Sequence, residues 1–200
     1  MDHWAQPPGL KMTGQWQANR MRQIRPRAGT ISSLVLAFGG GIFALALAAE
    51  WAGLRLNDSP SMPTGLYVRT SSESKSTLVV FCPAEPFARL SVERGYRSRG
   101  SCPDGAEPLA KPMVARPGDT VEVSALGITV NDRLLANTAP LLKDSAGRPL
   151  SHWPFGRCVV APGTLWVASS YSPWSFDSRY FGPVETSQVR DHVRPLLTAR

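Results

Sequence analysis

A chain of 200 residues has room for one domain with short appendages. Its 18 prolines and 17 glycines are unfavourable for a helical bundle and suit a turn-rich β domain. The net charge of +7 is concentrated in the first 30 residues, where five basic residues accompany one acid. The rest of the chain has no dense basic stripe, which excludes a nucleic-acid-binding role.

Residues 29–49 form an uncharged, mostly apolar run. About 20 such residues span a bilayer as a helix, and Trp51 follows where an amphipathic ring prefers the membrane interface. The basic residues precede the run, so the positive-inside tendency predicts that the basic tail, residues 1–28, is cytoplasmic. We therefore predict one transmembrane signal anchor over residues 29–51, with residues 52–200 on the far side of the membrane.

A cleaved signal peptide is the competing interpretation of this segment. Ala46-Leu47-Ala48 offers a small-residue cleavage site, and the basic residues before the run suit a signal sequence. The apolar run is long for such a peptide and the basic region is unusually extended, which favours a retained anchor. Both interpretations place the body of the chain outside the cytoplasm.

Beyond the anchor, short stretches alternate apolar and polar residues between turn signals such as Pro117-Gly118 and Pro162-Gly163. Closely spaced short strands predict an antiparallel β domain rather than βαβ units. The predicted strands are Gly65–Thr70, Thr77–Phe81, Thr120–Ser124, Ile128–Val130, Arg157–Val160 and Thr164–Ala168, with a polar turn at Ser71–Ser76, one or two helical turns at Phe87–Glu93, a loop at Arg94–Gly105 and irregular structure over residues 137–156.

The chain has three cysteines, an odd number for an oxidising compartment. Cys82 and Cys102 flank one segment, Pro83–Ser101, and closing that loop with a disulfide is the natural pairing. Cys158 is then free or paired elsewhere. No histidine or cysteine spacing indicates a metal site, and we predict neither a metal nor a cofactor.

Two polar motifs carry candidate chemistry. Residues 57–67 read Asn-Asp-Ser-Pro-Ser-Met-Pro-Thr-Gly-Leu-Tyr and hold Ser61 between two prolines, on backbone whose φ angles are restricted. Near the C-terminus, Ser175, Asp177 and Arg179 alternate, so a strand would place all three on one face. An aspartate–arginine pair there can fix a neighbouring serine, although such pairs are also ordinary surface features.

With Lys111 preceding an apolar strand and Pro117-Gly118-Asp119, these motifs together resemble the signal peptidase I superfamily of serine–lysine proteases. The likeness is greatest to the conjugative transfer branch, the TraF-type peptidases, whose serine region reads roughly Asn-x-Ser-x-Ser-x-Pro-x-Gly-Leu-Tyr. Leader peptidases carry Gly-Asp-Asn ahead of the last motif, where this chain has residues 169–174. Pro112 stands where the family often has a basic residue. The resemblance implies a signal-peptidase-like antiparallel β domain behind the anchor.

By this resemblance, Ser61 is the nucleophile and Lys111 is its general base. A serine hydroxyl needs an adjacent base to attack an amide, and a lysine can accept the proton only when it is neutral. Its reference pKa is about 10.4, and burial in apolar surroundings lowers that value. Pro108, Leu109 and Met113 are consistent with such burial.

The resemblance also implies supporting roles. The hydroxyl of Ser59 and the backbone N–H of Ser61 would form the oxyanion hole. Ser175 would orient Lys111, and the Asp177–Arg179 pair would support Ser175. The family cleaves after small residues at the first and third positions before the scissile bond. Candidate residues lining those shallow pockets are Met62, Tyr67 and Val114.

The resemblance implies a serine endopeptidase that is anchored in a bacterial inner membrane, with its catalytic domain in the periplasm, and that processes exported precursors at the bilayer surface. Its expected partners are the lipid bilayer and a membrane-associated protein substrate, above all the pilin precursor of a conjugative transfer system, which is either cut or closed into a ring. One alternative is a general signal peptidase that acts on many exported proteins. An alternative of another class is a non-enzymatic, membrane-anchored β module in pilus assembly, for which Ser61 and Lys111 would be replaceable.

Overall fold

The computed structural model describes residues 28–71 and 78–199, with side chains from residue 35 onward. Three sequence predictions lie wholly or partly outside this part of the chain: the basic tail, most of the polar turn at Ser71–Ser76, and Thr77 at the start of a predicted strand.

The uncharged run folds as helix α1, Ala28–Trp51, which continues two residues past the run to include Glu50. Large apolar side chains of this helix, such as Val35, Phe38 and Phe43, are exposed. The chain divides into two units, Met1–Ala44 and Leu45–Arg200, and the β domain lies within the second. Among the residues that the structure describes, no helix is both long and apolar enough to cross a membrane.

Eleven strands form two sheets in the described residues, and every pairing within them is antiparallel. The larger sheet has the order β1-β2-β11-β3-β4-β9-β10, and the smaller has the order β7-β6-β5-β8. The mainly antiparallel β architecture predicted from the sequence is thus confirmed. The strands are β1 Leu54–Asn57, β2 Gly65–Thr70, β3 Leu78–Phe81, β4 Leu109–Ala115, β5 Thr120–Ser124, β6 Gly127–Val130, β7 Arg133–Leu134, β8 Gly156–Val159, β9 Thr164–Val167, β10 Val184–Glu185 and β11 Val189–Thr198.

Strand β3 lies inside the larger sheet and is buried along its whole length. Val79 and Phe81 pack in one core cluster, whereas Leu78 and Val80 pack with Tyr67 in another. Because both faces of this strand are covered, its sequence is a continuous apolar run rather than an alternation. The neighbouring strand β4, which carries Lys111, is consequently held against the core.

The longest strand, β11, was not predicted. It pairs with β2 on one side and with β3 on the other, and its register shifts between Pro195 and Leu197. Proline lacks the N–H that a sheet ladder uses, and Arg190, Asp191 and Arg194 obscure any apolar pattern. The strand therefore depends on long-range pairing that local sequence signals do not reveal.

Helix α2, Phe87–Glu93, lies inside the segment that the cysteines close. Cys82 and Cys102 form a disulfide, and Cys158 is free and exposed. The Arg97 side chain, which is buried within the closed segment, pairs with Asp104 just beyond Cys102 and donates to the carbonyl of Ala88. The disulfide and this ion pair together give the segment a fixed shape.

Replacing Cys82 and Cys102 together by serine is expected to lower the free energy of unfolding by about 2–4 kcal/mol, because the bond closes a loop with a sequence separation of 20 residues. Thermal unfolding followed by circular dichroism measures the loss. Cys158→Ser is the matched control and should change stability by less than about 0.5 kcal/mol, since that side chain is exposed. A double serine variant as stable as this control would contradict the prediction.

Candidate active site

The serine motif forms a braced loop between β1 and β2. These strands pair antiparallel, with Asn57 opposite Gly65, so the loop leaves and re-enters the sheet at one point. The Asn57 side-chain amide donates to the carbonyls of Ser59 and Pro63, at 3.0 and 3.2 Å. Gly65 has a φ of +143°, and a Cβ there would lie 2.2 Å from the carbonyl oxygen of Leu197. Only glycine fits this close approach, so the backbone path at the end of the loop is fixed.

Lys111 reaches this loop from β4, opposite Val79 of β3. Its side chain is buried, and its Nζ donates a hydrogen bond of 2.7 Å to Ser61 Oγ. The hydroxyl of Ser61 is itself buried beside the lysine, with the residue only 7% exposed. The structure therefore joins two residues that are 50 positions apart in the sequence.

Burial lowers the pKa of Lys111 from its ordinary value of 10.5 to about 8. The main cause is desolvation, which disfavours the ammonium form. The negative charge of Asp177 opposes this effect and raises the pKa, while the positive charge of Arg179 lowers it further. A substantial share of this lysine is consequently neutral at mildly alkaline pH and able to accept a proton.

Ser59 lies beside Ser61. Its hydroxyl is 3.3 Å from Ser61 Oγ, and the backbone N–H of Ser61 points to the same hydroxyl at 3.3 Å. A hydroxyl donor and an N–H donor thus converge close to the oxygen that would attack a substrate. In this structure the N–H of Ser61 bonds to the Ser59 hydroxyl and that hydroxyl bonds to Ser61 Oγ, so the oxyanion-hole role of the two groups stays a prediction.

The Asp177–Arg179 pair is fully buried, with Arg179 Nε 2.8 Å from Asp177 Oδ1. The prediction that this motif forms a strand is wrong. Asp177 is instead the N-cap of a short helix, α3 (Ser178–Phe181), and its carboxylate accepts from the backbone N–H of Arg179. The guanidinium folds back onto the cap carboxylate, so the pair forms by helix capping and not by sharing a strand face.

Ser175 does not have the contact that the resemblance implied. It is 2% exposed, and among the described residues its hydroxyl has no hydrogen-bond partner. In this structure Ser61 Oγ is the hydrogen-bond acceptor of Lys111 Nζ. The expectation that Ser175 orients the lysine is therefore not met in this arrangement.

A cavity of about 340 Å³ opens beside Ser61 and Lys111. Its lining includes apolar and aromatic side chains, among them Tyr96, Leu150, Phe176 and Tyr180. The sequence did not reveal Tyr96 as a lining residue. Its ring reaches the cavity by packing on Phe176, with ring centroids 5.1 Å apart, a contact between segments far apart in the sequence.

The predicted pocket residues do not line this cavity. Met62 and Tyr67 are buried in a core cluster, and the Tyr67 hydroxyl donates to the carbonyl of Pro63 at 2.7 Å. Val114 packs against a different core cluster, around Trp166. The structure thus corrects this assignment: Met62 and Tyr67 support the serine loop from beneath, and Val114 contributes to packing.

Asp144 connects the disulfide-closed segment to the loop of residues 143–150, which also lines the cavity. Its carboxylate accepts hydrogen bonds from Tyr96 (2.6 Å) and Arg148 (2.7 Å), and Arg94 lies 3.3 Å away. Burial would raise the pKa of this carboxyl, but the hydrogen bonds outweigh burial and hold the pKa well below its ordinary value. Within the described part of the chain, no group of three or more histidine, cysteine, aspartate or glutamate side chains is placed to hold a metal ion.

An antiparallel β domain that brings a loop serine and a buried lysine into contact is the architecture of a signal peptidase. The family model described as signal peptidase, peptidase S26, matches residues 28–197, and the chain belongs to this family.

Two relatives of this chain are named as plasmid or conjugal transfer proteins. A plasmid transfer protein TraF of Escherichia coli is 36% identical over 162 residues, which are 80% of this chain and 92% of that protein. A probable conjugal transfer protein TraF of Sinorhizobium fredii is 33% identical over 184 residues, 90% of this chain and 94% of that protein. Among solved structures, a signal peptidase I of Enterococcus faecalis is 21% identical, covers 62% of this chain and 98% of its own, and has a TM-score of 0.33.

Proposed function

We propose that this chain is a membrane-anchored serine endopeptidase that processes the pilin precursor of a conjugative transfer system. The observation that carries the proposal is the 2.7 Å hydrogen bond between Lys111 Nζ and Ser61 Oγ in a buried setting that lowers the lysine pKa. Relatives named as plasmid and conjugal transfer proteins support the conjugative context.

In the proposed mechanism, neutral Lys111 takes the proton of the Ser61 hydroxyl as Ser61 Oγ attacks the scissile carbonyl carbon. The Ser59 hydroxyl and the Ser61 N–H then donate to the oxyanion of the tetrahedral intermediate. When the C–N bond breaks, the Lys111 ammonium returns the proton to the leaving amine. Water activated by the same lysine hydrolyses the acyl-enzyme, or an amine of the substrate captures it and forms a new peptide bond.

The substrate is placed by the anchor and the cavity. The proposed anchor rests on the sequence alone: the uncharged run of residues 29–49, preceded by basic residues, holds the enzyme in the inner membrane with its N-terminus in the cytoplasm. The catalytic domain then lies in the periplasm, where it meets precursors delivered with a membrane-embedded segment. The cavity beside Ser61 receives the side chains that precede the scissile bond.

Co-expression with a pilin precursor tests this function. Mass spectrometry of the pilin is compared between wild type, Ser61→Ala and Lys111→Ala, with membrane fractionation to show that each variant is present. Both variants should leave the precursor uncut. In the wild type, a product one water lighter than the linear chain indicates ring closure. Continued processing by both variants would instead favour the non-enzymatic scaffold, and wild-type cleavage of many unrelated exported proteins would favour a general signal peptidase.

Ser59→Ala is expected to lower kcat by about 10²–10³ with little change in KM, because the lost hydroxyl stabilises charge that develops only in the transition state. Steady-state cleavage of a fluorogenic peptide measures both constants. Ser59→Thr keeps the hydroxyl and should retain most of the activity. Equal losses of kcat in Ser59→Ala and Ser59→Thr would show that the missing hydroxyl does not cause the loss.

A further inference from the structure

Ser169 contacts the serine loop from a distant part of the chain. It lies two residues after the end of β9 and is fully buried. Its hydroxyl donates a hydrogen bond to the backbone carbonyl of Ser61, 108 positions earlier in the sequence. The proposed roles of Ser61, Lys111 and Ser59 do not involve this hydrogen bond.

Ser169 is itself held at each of its polar groups. Its N–H donates to Asp177 Oδ2 at 3.0 Å, and its carbonyl accepts from Arg179 Nη2 at 2.9 Å. The Ser169 hydroxyl, which donates to Ser61, also accepts from the N–H of Tyr171 at 3.1 Å. The buried ion pair therefore fixes Ser169, and Ser169 in turn fixes the nucleophile's own peptide group.

Among the described residues, the other side-chain hydrogen bonds to carbonyls of the serine loop end on carbonyls other than that of Ser61. Asn57 binds the carbonyls of Ser59, Met62 and Pro63, but not that of Ser61. The direction of a carbonyl sets the ψ angle of its residue, and with it the direction of the adjoining Cα–Cβ bond. Because the hydroxyl must stay within hydrogen-bond reach of Lys111, a small rotation here would separate the two reacting groups.

We propose that Ser169 is a positioning residue that aligns Ser61 for attack and through which the Asp177–Arg179 pair acts on the nucleophile. The inference rests on the proposed peptidase function and deepens it. The resemblance assigned that ion pair to the support of Lys111 through Ser175, which makes no such bond here. The hydrogen bonds of Ser169 connect the pair to the other member of the dyad.

The test is steady-state cleavage of a fluorogenic peptide by the full-length chain in detergent, comparing wild type with Ser169→Ala and Ser169→Thr. In Ser169→Ala, kcat should fall by about 10- to 100-fold, because a misplaced nucleophile loses that order of rate. KM should stay within about twofold, and the acid limb of the pH profile should stay near pH 8, because the lysine environment is unchanged. Ser169→Thr, which keeps the hydroxyl, should recover a substantial part of kcat.

Ser172→Ala is the matched control, since Ser172 is a buried serine of the same turn whose hydroxyl accepts from the N–H of Trp174 and not from the serine loop. It should keep kcat near the wild-type value. If Ser169→Ala has wild-type kcat, or if it moves the acid limb, the positioning role is wrong. Ser61→Ala, run alongside, separates the two claims: an active Ser61→Ala variant overturns the peptidase function itself, whereas an inactive one leaves the result for Ser169 to decide the inference.

Discussion

Replacing Lys111 by methionine is expected to abolish peptide cleavage while making the folded protein more stable at pH 7. A positioned general base typically contributes about 10²–10⁴-fold to the rate, and methionine cannot accept a proton. The stability gain arises because a buried ammonium pays a desolvation cost that a thioether of similar length does not. The expected gain is on the order of 1–3 kcal/mol, measured by urea unfolding.

The pH dependence of this gain follows from the lysine pKa. The folded-state value of about 8 lies below the ordinary value of 10.5, so between these pH values the unfolded chain binds the proton more strongly. The wild type should therefore become more stable as the pH rises through this window, and the advantage of the methionine variant should shrink. Lys143→Met is a control for stability only, because Lys143 is exposed but also lines the cavity beside Ser61, and it should show no such gain in stability. A methionine variant that is less stable than the wild type at pH 7 would contradict the burial argument.

The second large effect is on stability and concerns the buried ion pair. Asp177→Ala is expected to cost about 3–5 kcal/mol, because it leaves the Arg179 guanidinium buried without its counter-charge. It also removes the N-cap of α3 and the acceptor of the Ser169 N–H. Urea unfolding measures the loss, and cleavage activity should fall with it because the serine loop loses its brace.

Arg157→Met gives the comparison for an exposed ion pair. Arg157 lies 2.8 Å from Asp132, and its side chain is about half exposed. Exposed pairs of this kind contribute less than about 1 kcal/mol. If Asp177→Ala cost no more than Arg157→Met, the buried pair would not be holding the site together.

Local sequence signals revealed those elements whose pattern is local. Helix α2 and the hairpin of β5 and β6 follow from short-range periodicity and turn residues, and the structure has them close to the predicted bounds. Strand β11 was not predicted because Pro195 and several charged residues interrupt its apolar alternation. Its stability also comes from pairing with two strands that are distant in the sequence.

Local motifs also made part of the candidate site predictable. Motif resemblance singled out Ser61 and Lys111, and the fold brings them into contact. The spacing of Asp177 and Arg179 also anticipated their ion pair, but not the helix cap that creates it. Ser169 and Tyr96 were not predicted as site residues, because their roles arise from contacts between distant segments of the chain, and neither composition nor motif spacing indicates such contacts.

The pocket prediction had a different weakness. Tyr67, which follows Ser61 closely in the sequence, was predicted to line a substrate pocket. Alternation along β2 instead turns its side chain into the core, where its hydroxyl binds the serine loop from within. Proximity in sequence is therefore a poor guide to cavity lining when the intervening chain enters a strand.

The most direct test of the central claim is the pH profile of kcat/KM for the full-length chain acting on a peptide with alanine at the first and third positions before the scissile bond. A neutral Lys111 acting as base predicts activity that rises with pH and has its inflection near pH 8, since kcat/KM reports the free enzyme's essential base. A profile that is level from about pH 6 to about pH 9, or one that bends near the histidine value of about 6.5, would contradict the serine–lysine account.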